Sequence, residues 1–297
     1  NQEKTSKRSM DIFALQNGSD IRGVASDERP QEKVNLSPQV VESIGYAFGQ
    51  WLSARLDRAP SELRISIGHD SRHTAARMQE DLCRGLTRLG ITVYPVGLAT
   101  TPSMFYSTQA EGHKYDGAIM ITASHLPSNR NGFKFFTSEG GLDKGDIRQI
   151  LSLASEARPT EDEGRGKIVP ISFLEVYAAS LRDFIIRSCK KGAFPLKGFH
   201  ILVDAGNGSG GFFADRVLEP LGAITKGSLY LDPDGRFPNH IPNPELPEAL
   251  ADIQKAVVET GADMAVVFDT DVDRAALVDH TGKAVNRNAL VALASAV

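Results

Sequence analysis

The sequence predicts an α/β protein made of two consecutive three-layer α/β/α domains with mostly parallel sheets. Short apolar runs alternate with segments of helical periodicity along nearly the whole chain, and this alternation is typical of parallel sheets covered by helices. Each half follows one plan of strand, glycine-bearing loop, helix, strand, helix, strand and polar loop. A chain of 297 residues has the length of two ordinary domains.

Composition narrows the partners that we expect. Hydrophobic residues make up 41% and charged residues 24% of the chain, as in a soluble globular protein. The net charge of −4 offers no basic surface for nucleic acid. No apolar run approaches the length of about 20 residues that a membrane span needs. We therefore expect neither a nucleic-acid nor a membrane partner, while the oligomeric state stays open.

The cysteines and the N-terminus bear on the compartment. Cys83 and Cys189 both fall within helical patterns, so we expect reduced thiols and a cytoplasmic protein. The sequence begins at Asn1, and residues 1–10 are polar. They are interpreted as a frayed end. The alternative is the tail of a transit sequence, and the plastid stroma would then be the compartment.

The first half opens with a loop and a helix. Residues 17–23 are predicted to form a turn-rich loop whose glycines allow close approach of a ligand. Ser37 followed by Pro38 predicts a helix start, and apolar residues at helical spacing give that helix a buried face through Leu52. The other elements predicted in this half are strand 64–67, helix 74–89, strand 91–96, a short helix from Thr100, strand 115–121, strand 133–136 and helix 143–157. Strand 133–136 would run antiparallel, as in an edge hairpin.

The second half begins after a charged segment over 158–166 that contains proline and glycine. This segment is the predicted linker, and it divides the chain into domains 1–160 and 161–285. The elements predicted beyond it are helix 172–190, strand 199–204, helix 212–221, strand 224–231, helix 246–260 and strands 264–268 and 275–278. A further helix opens at Asn288 without a stop signal, so 286–297 is interpreted as the start of a third, truncated unit.

Two loops of the second half have open interpretations. The glycine loop 205–211 is favoured as a tight turn, with a phosphate cradle as the alternative, because it lacks the motif of a P-loop. The long loop 233–244 is predicted to contact the first domain.

A hydroxyl at the end of a strand is the first candidate functional group. A buried strand stops near Ser124, which is followed by His125 and, ten residues on, by Lys134. Ligands bind at this edge of an open parallel sheet. A serine hydroxyl needs a base or a stabilising charge to act as a nucleophile. The imidazole of His125 and the amine of Lys134 both lie nearby in the sequence. The alternative is an ordinary serine turn that closes the strand.

Three carboxylates follow the predicted strand 264–268. Asp269, Asp271 and Asp273 occupy alternate positions and therefore point to one side of an extended chain. Like charges this close repel unless a cation lies between them, and oxygen-only ligands suit Mg²⁺ or Ca²⁺. Arg274 follows at once and suits a phosphate. A solvated acidic turn is the alternative.

These motifs, with others in the same order, give the chain a specific resemblance. The segments are Gly18-Ser19-Asp20-Ile21-Arg22-Gly23, Gly68-His69-Asp70-Ser71-Arg72, Thr122-Ala123-Ser124-His125 with Pro127 and Asn131-Gly132-Phe133-Lys134, Val203-Asp204-Ala205-Gly206-Asn207-Gly208, Pro233-Asp234-Gly235-Arg236-Phe237-Pro238-Asn239-His240, and Asp269-Thr270-Asp271-Val272-Asp273-Arg274. Together they resemble the α-D-phosphohexomutase family, the phosphoglucomutases and phosphomannomutases. The resemblance implies the first part of a four-domain architecture, without the domains that carry a sugar-recognition loop and a phosphate loop.

The resemblance implies a phosphohexomutase that interconverts hexose 1-phosphate and hexose 6-phosphate. Ser124 would be carried as phosphoserine and would donate its phosphoryl group to the substrate. It would recover one from a hexose 1,6-bisphosphate intermediate, which also serves as activator. Lys134, with a pKa lowered near the cation, would be the general base, and His125 is the alternative. The implied catalytic residues are Ser124, Lys134, His125 and Arg22.

The resemblance also implies which residues bind ligands. The implied Mg²⁺ ligands are a phosphoserine oxygen of Ser124 and the carboxylates of Asp269, Asp271 and Asp273. The implied contacts of the phosphosugar substrate are Arg22, Ser124, Asp273 and Arg274. The identity of the hexose cannot be predicted from this sequence.

Two other functions remain as alternatives. The family usually has Asn where this chain has Leu126, so one alternative is a catalytically weakened or inactive relative that acts as a binding or scaffold protein. The other is a Mg²⁺-dependent phosphatase with an aspartate nucleophile. It is disfavoured because it leaves the motif around Ser124 unexplained.

Overall fold

The structure is a computed structural model that describes residues 10–158 and 165–296. The predicted linker over 158–166 and the polar segment 1–10 therefore fall largely outside the described residues. Within the two described ranges, no helix combines the length and the apolar character that crossing a membrane requires.

Strands and helices alternate along the chain as predicted. The strands are β1 (Gln16–Asn17), β2 (Asp20–Val24), β3 (Arg64–His69), β4 (Thr92–Leu98), β5 (Gly117–Ile121), β6 (Arg130–Thr137), β7 (Gly140–Gly141), β8 (Ile201–Asp204), β9 (Met264–Phe268) and β10 (Ala275–Asp279). The α-helices are α1 (Pro38–Leu56), α2 (Ala75–Arg88), α3 (Thr101–Ser107), α4 (Lys144–Glu156), α5 (Leu174–Cys189), α6 (Pro247–Thr260) and α7 (Arg287–Ala296). Shorter helical turns lie at Ile12–Leu15, Pro60–Glu62, Phe213–Leu218 and Glu219–Leu221.

Local sequence explains where several helices begin and end. Ser37 Oγ accepts a hydrogen bond from the Val40 amide at the start of α1, over 3.4 Å. Asp143 caps α4 in the same way, and its side chain accepts from the Asp146 amide over 2.8 Å. Gly261 ends α6 in the left-handed conformation, with a φ of 66°.

The larger sheet has the strand order β1-β2-β6-β5-β3-β4, and β7 also pairs with β6. Strands β2, β3, β4, β5 and β7 run in one direction, and β1 and β6 run in the other. The sheet is therefore mixed with mostly parallel strands. The antiparallel course predicted for β6 is confirmed, but the edge position is wrong, because β6 lies between β2 and β5. The connection between β5 and β6 carries Ser124.

Helices cover both faces of the larger sheet. On one face lie α1, α2 and α4, and Phe48 of α1 packs on Phe135 of β6 with ring centroids 4.8 Å apart. On the other face, Met104 of α3 and Tyr177 of α5 belong to a second apolar cluster with Met120 of β5. The three layers predicted for this unit are thus present.

The smaller sheet has β8 parallel to β9 and β10 antiparallel to β9. Helix α6 packs on one face, and the turns of 213–221 pack on the other. Helix α5 lies between the two units, because the ring centroid of Tyr177 is 5.9 Å from Tyr106 and 6.1 Å from Phe212. The two units therefore share a helix.

Three segments differ from the prediction. Residues 17–23 form the hairpin β1-β2, because Gly18 takes the left-handed φ of 61° that a tight turn requires. The helix predicted over 212–221 is a π-helix over Phe213–Leu218 followed by a 3₁₀ turn, in which Pro220 has no amide to donate to a continuing α-helix. The segment predicted as strand 224–231 forms two isolated bridges, at Ile224 with His200 and at Leu229 with Asp204, and Gly227, with a φ of 100°, lies between them.

The crossing of α1 and α2 depends on Gly85. A Cβ at this position would overlap the carbonyl oxygen of Glu42 in α1, which is backbone and cannot move aside alone. We expect Gly85→Ala to lower the free energy of unfolding by about 1–3 kcal/mol, measured by urea denaturation. Gly145→Ala is the control, because its Cβ would meet only the Asp143 side chain, at 3.2 Å. It should change stability by less than about 1 kcal/mol. Equal stability of Gly85→Ala and wild type would contradict this packing.

Candidate active site

Two polar loops from different sheets meet at one point. Ser124 follows β5 of the larger sheet, and Asp269 follows β9 of the smaller sheet, 145 residues further along the chain. The Ser124 hydroxyl donates to Asp269 Oδ2 over 3.3 Å, and both residues are buried. The structure thus brings together the two segments that the sequence singles out, each at the carboxyl end of its strand.

The backbone of Ser124 has a left-handed conformation, with a φ of 52°. This conformation is costly for a non-glycine residue and persists only where the surroundings support it. The Ser124 amide donates to Thr122 Oγ1 over 3.0 Å, and Thr122 Oγ1 donates to Asp70 Oδ2 over 2.7 Å. Both supporting residues are buried, so they fix the position of the Ser124 hydroxyl.

Arg72 anchors the loop that carries Ser124. Its Nε lies 3.3 Å from Asp70 Oδ2, and its two terminal nitrogens donate to four carbonyl oxygens over 2.7–3.0 Å. The four acceptors belong to Ser124, Leu126, Pro127 and Arg130. The Arg72 side chain is fully buried, and its guanidinium carbon lies 5.2 Å from the ring centroid of Phe237 in the loop 233–244. The conformation of the serine loop therefore depends on one buried cation.

Asp269, Asp271 and Asp273 form a compact carboxylate cluster. One oxygen from each lies within 4.8 Å of the others. Asp269 Oδ1 accepts hydrogen bonds from the amides of Asp273 and Arg274, each over 3.1 Å, and these bonds close the loop. Val272 has a left-handed φ of 62°, which is rare for a β-branched residue. The loop is thus held in a strained turn around the carboxylates.

Burial and like charge make this cluster unfavourable by itself. Burial, followed by the charges of Asp271 and Asp273, raises the pKa of Asp269. Burial, followed by the charge of Asp273, also raises the pKa of Asp271. Asp271 Oδ1 is buried and has no hydrogen-bond partner within the described ranges 10–158 and 165–296. These residues fit a hard, oxygen-ligated cation, which would neutralise the charge and use the free oxygen.

Arg274 joins the serine to the carboxylates. Its Nη2 donates to Ser124 Oγ over 2.9 Å and to His125 Nδ1 over 2.7 Å, and its Nε donates to Asp269 Oδ2 over 3.1 Å. Burial, together with the charges of Arg274 and Arg22, lowers the pKa of His125, so the ring is neutral and can accept this bond. A guanidinium is thus present at the serine hydroxyl, where it suits a phosphate.

Lys134 faces the carboxylates from β6. Its Nζ lies 3.3 Å from Asp273 Oδ2, 3.5 Å from Asp20 Oδ2 and 3.9 Å from Asp271 Oδ2. Burial acts to lower the pKa of Lys134, but the carboxylates, Asp271 first, outweigh burial and raise it. The lowered pKa predicted from the sequence supposes a cation at the carboxylates, which would act in the opposite direction to these charges, so it stays a prediction. Arg22 lies at the rim, with Nη2 3.2 Å from Asp20 Oδ2.

Sequence reasoning missed residues that support these groups. Asp70 and Arg72 lie in a segment that carries the resemblance, but no role was predicted for them. The sequence places Thr101 only at the start of the short helix that begins near Thr100, yet its Oγ1 donates to Asp271 Oδ2 over 2.5 Å. Burial is the signal that would reveal Asp70 and Arg72, because charged side chains are seldom buried without a partner. A loop, however, has no periodic apolar pattern from which the burial of its side chains could be predicted.

Glycines allow the loops around the site to pack closely. A Cβ at Gly208 would lie 2.6 Å from the Thr270 carbonyl oxygen, and one at Gly235 would lie 2.6 Å from the Ser71 carbonyl oxygen. The glycine loop 205–211 therefore packs against the aspartate loop, in line with the tight-turn interpretation. The loop 233–244 contacts the first unit, as predicted from the sequence.

A buried ion pair fastens the loop 233–244 to the end of β8. His240 Nε2 lies 3.0 Å from both carboxylate oxygens of Asp204, and its Nδ1 lies 2.9 Å from the Ile241 carbonyl oxygen. A carboxylate and a carbonyl only accept hydrogen bonds, so both ring nitrogens donate and His240 is an imidazolium. Asn243, in the same loop, contacts Arg274 Nη1 at 3.5 Å.

Two regions of the chain match described protein domains. Residues 14–160 match "Phosphoglucomutase/phosphomannomutase, alpha/beta/alpha domain I", and residues 175–282 match domain II of the same family. A phosphomannomutase of Salmonella montevideo is 34% identical over 282 residues, which cover 92% of this chain and 57% of that protein. A phosphomannomutase/phosphoglucomutase of Pseudomonas syringae pv. tomato is 32% identical over 274 residues, with coverages of 92% and 54%.

A solved structure has the same fold. A phosphoglucomutase/phosphomannomutase family protein from Burkholderia thailandensis superposes with a TM-score of 0.76 at 28% identity, covering 93% of this chain and 56% of that one. The fold and the matched regions define the class of this protein, which is an α/β/α protein of the phosphohexomutase type. The chain belongs to the phosphoglucomutase/phosphomannomutase family, so the resemblance and the predicted fold class are confirmed. The chain spans a little over half the length of the curated relatives that it matches.

Removal of Arg72 would leave Asp70 buried without its cation. We expect Arg72→Met to lower the free energy of unfolding by about 3–5 kcal/mol, because truncating one partner of a buried ion pair leaves the other uncompensated. Arg55→Met is the control, since Arg55 is half exposed and pairs with Glu139 at the surface over 3.1 Å. It should cost less than about 1 kcal/mol. Urea unfolding measures both variants, and similar losses would contradict the anchoring role of Arg72.

The Asp204–His240 pair predicts a pH dependence of stability. Burial acts to lower the pKa of His240, but the hydrogen bond and the charge of Asp204 outweigh burial and raise it. The ion pair therefore stabilises the folded state fully below the pKa of an unfolded histidine, about 6.5. This stabilisation is lost as the pH rises through the raised pKa of His240 in the folded state. We expect His240→Gln to lose this decline in stability above about pH 6, measured by urea denaturation. Exposed His280 is the control, and His280→Gln should keep the decline. An unchanged decline in His240→Gln would contradict the ion pair.

Proposed function

We propose that this chain provides the phosphoserine and metal-binding units of a phosphohexomutase, which interconverts hexose 1-phosphate and hexose 6-phosphate. The observation that carries the proposal is the position of Ser124 Oγ, 3.3 Å from Asp269 Oδ2 and 2.9 Å from Arg274 Nη2. A phosphoryl group on Ser124 would meet a guanidinium and the aspartate cluster at once. Relatives named phosphomannomutase and phosphomannomutase/phosphoglucomutase support a glucose or mannose phosphate as substrate.

The proposed ligands of Mg²⁺ are Asp269, Asp271, Asp273 and an oxygen of phosphorylated Ser124. A phosphoserine carries about −1.5 to −2 charges, which three carboxylates alone would repel. When bound, Mg²⁺ would supply Lewis-acid stabilisation of the charge on the phosphoryl group. The buried Asp271 Oδ1, which lacks a hydrogen-bond partner in the described part of the chain, supports this assignment.

The proposed transfer breaks the bond between Ser124 Oγ and phosphorus and forms a bond from phosphorus to a hexose hydroxyl oxygen. The proton of that hydroxyl passes to a base on the protein, and Ser124 Oγ is protonated in turn. The resulting hexose 1,6-bisphosphate then returns its other phosphoryl group to Ser124. A hexose 1,6-bisphosphate is therefore also the proposed activator, because it restores the phosphoserine.

Lys134 is the proposed base, with His125 as the alternative. Lys134 is protonated in the field of the carboxylates and needs the cation to lower its pKa. His125 is neutral, but its Nδ1 already accepts a hydrogen bond from Arg274. The proposed contacts of the phosphosugar are Arg22, Ser124, Asp273 and Arg274, and Arg22 is also the proposed fourth catalytic residue.

Leu126 is compatible with an active site. Its carbonyl oxygen accepts from Arg72 Nη2 over 2.8 Å, so the bond that holds the loop uses the backbone. Its side chain lines a cavity of about 490 Å³ with Phe237, Ile241 and Leu246. The serine loop is therefore held through the backbone at this position, so Leu126 does not argue against the mutase proposal.

We also propose the domain boundaries 1–160 and 161–285, with 286–297 as the start of a third unit. The matched regions 14–160 and 175–282 support the first two.

Incubation with glucose 1,6-bisphosphate and Mg²⁺, followed by intact-mass measurement, tests the proposed function. We expect the wild-type chain to gain the mass of one phosphoryl group and Ser124→Ala to gain none, because Ser124 Oγ is the acceptor. Ser128→Ala is the matched control from the same loop, where the hydroxyl donates to Glu28 over 2.7 Å. This variant should gain phosphate as the wild type does.

Other outcomes of this experiment favour the alternatives. A folded wild-type chain that takes up no phosphate would favour a binding or scaffold protein, and steady release of inorganic phosphate would favour a phosphatase. Removal of divalent ions with EDTA should abolish uptake. Uptake that persists without a divalent ion would contradict the metal assignment.

A further inference from the structure

Thr101 contacts the aspartate cluster from the other unit. It is the first residue of α3, and its Oγ1 donates to Asp271 Oδ2 over 2.5 Å. Its amide donates to the Asp271 carbonyl oxygen over 2.8 Å. The two residues are 170 positions apart in the sequence, and both are buried. These bonds join α3 to the aspartate loop at its central residue.

The bond from the Thr101 hydroxyl leaves one carboxylate oxygen of Asp271 free for a ligand. Oδ2 is occupied by the Thr101 hydroxyl, whereas Oδ1 is buried and lacks a partner among the residues that the structure describes. The Nζ of Lys134 lies 3.9 Å from Oδ2. Without the hydroxyl, no other donor in ranges 10–158 and 165–296 would lie at hydrogen-bond distance from Oδ2, and the carboxylate would be free to turn toward the ammonium group. Lys134 would then compete with a cation for Asp271.

We propose that Thr101 is a positioning residue for the divalent cation: its hydroxyl orients Asp271 so that Oδ1 coordinates the ion. This inference rests on the proposed metal site and adds to it a residue from the first unit. Groups that hydrogen-bond to metal ligands orient those ligands, and their loss typically lowers metal affinity about 10- to 100-fold. The backbone bond from the Thr101 amide keeps the loop docked, so the hydroxyl can be removed without undocking it.

Titration with Mn²⁺ tests the role of the hydroxyl without any turnover. Loss of the electron paramagnetic resonance signal of free Mn²⁺ measures binding to the 297-residue chain, and Mn²⁺ prefers the same oxygen ligands as Mg²⁺. We expect Thr101→Val, which keeps the shape and removes the hydroxyl, to bind about 10- to 100-fold more weakly. Thr101→Ser, which restores the hydroxyl, should bind nearly as the wild type does. Thr108→Val is the matched control, because this buried threonine follows α3 and its hydroxyl donates to the Phe105 carbonyl oxygen.

Each outcome of the titration decides the proposal. Wild-type affinity in Thr101→Val would overturn it, and so would an equal loss in Thr101→Ser, since the methyl group would then be the important part. If Thr101→Val fails to fold, Thr101→Ala allows the same comparison with Thr101→Ser. A wild-type chain that binds no Mn²⁺ would overturn the metal assignment and this inference together. Binding that is lost in Asp271→Asn but unchanged in Thr101→Val would overturn this inference alone.

Discussion

Repulsion among buried carboxylates is the constraint on which the rest of the site depends. Asp269 and Asp271 are fully buried beside Asp273, in a loop with a strained residue at Val272. A protein interior tolerates such charge only when it is paired or coordinated. Neighbouring groups pair with two of these carboxylates: Arg274 forms an ion pair with Asp269, and a threonine hydroxyl donates a hydrogen bond to Asp271. Asp271 Oδ1 is buried without a hydrogen-bond partner in the part of the chain that the structure describes, and the proposed cation would use it.

The site is assembled by the docking of two units. The serine loop belongs to the larger sheet and the aspartate loop to the smaller one, so neither unit has the site by itself. Contacts between the two units include Ser124 with Asp269, Thr101 with Asp271, and Arg72 with Phe237. Helix α5 packs on both units and adds an apolar contribution to the same interface. Stability of the interface and geometry of the site are therefore coupled.

The sequence predicts most elements of this fold because apolar periodicity and helix caps are local signals. Helix α1 is an example, with its Ser37 cap and its buried face. Errors occur where backbone conformation is decided by single residues, as with Gly227, Pro220 and the turn at Gly18. The serine and aspartate loops can be predicted because reactive groups follow apolar strands. Their supports cannot, because Arg72 lies 52 residues from Ser124 and only the folded chain brings them together.

The central claim is that a phosphoryl group on Ser124 and the aspartate cluster bind the same divalent ion. The phosphorus NMR resonance of the Ser124-phosphorylated chain, recorded during addition of Mn²⁺, tests it most directly. A paramagnetic ion bound to a phosphoryl oxygen would broaden this resonance beyond detection, and Asp271→Asn should retain a narrow line at the same Mn²⁺ concentration. A resonance that stays narrow while Mn²⁺ saturates the aspartates of the wild-type chain would contradict the shared site.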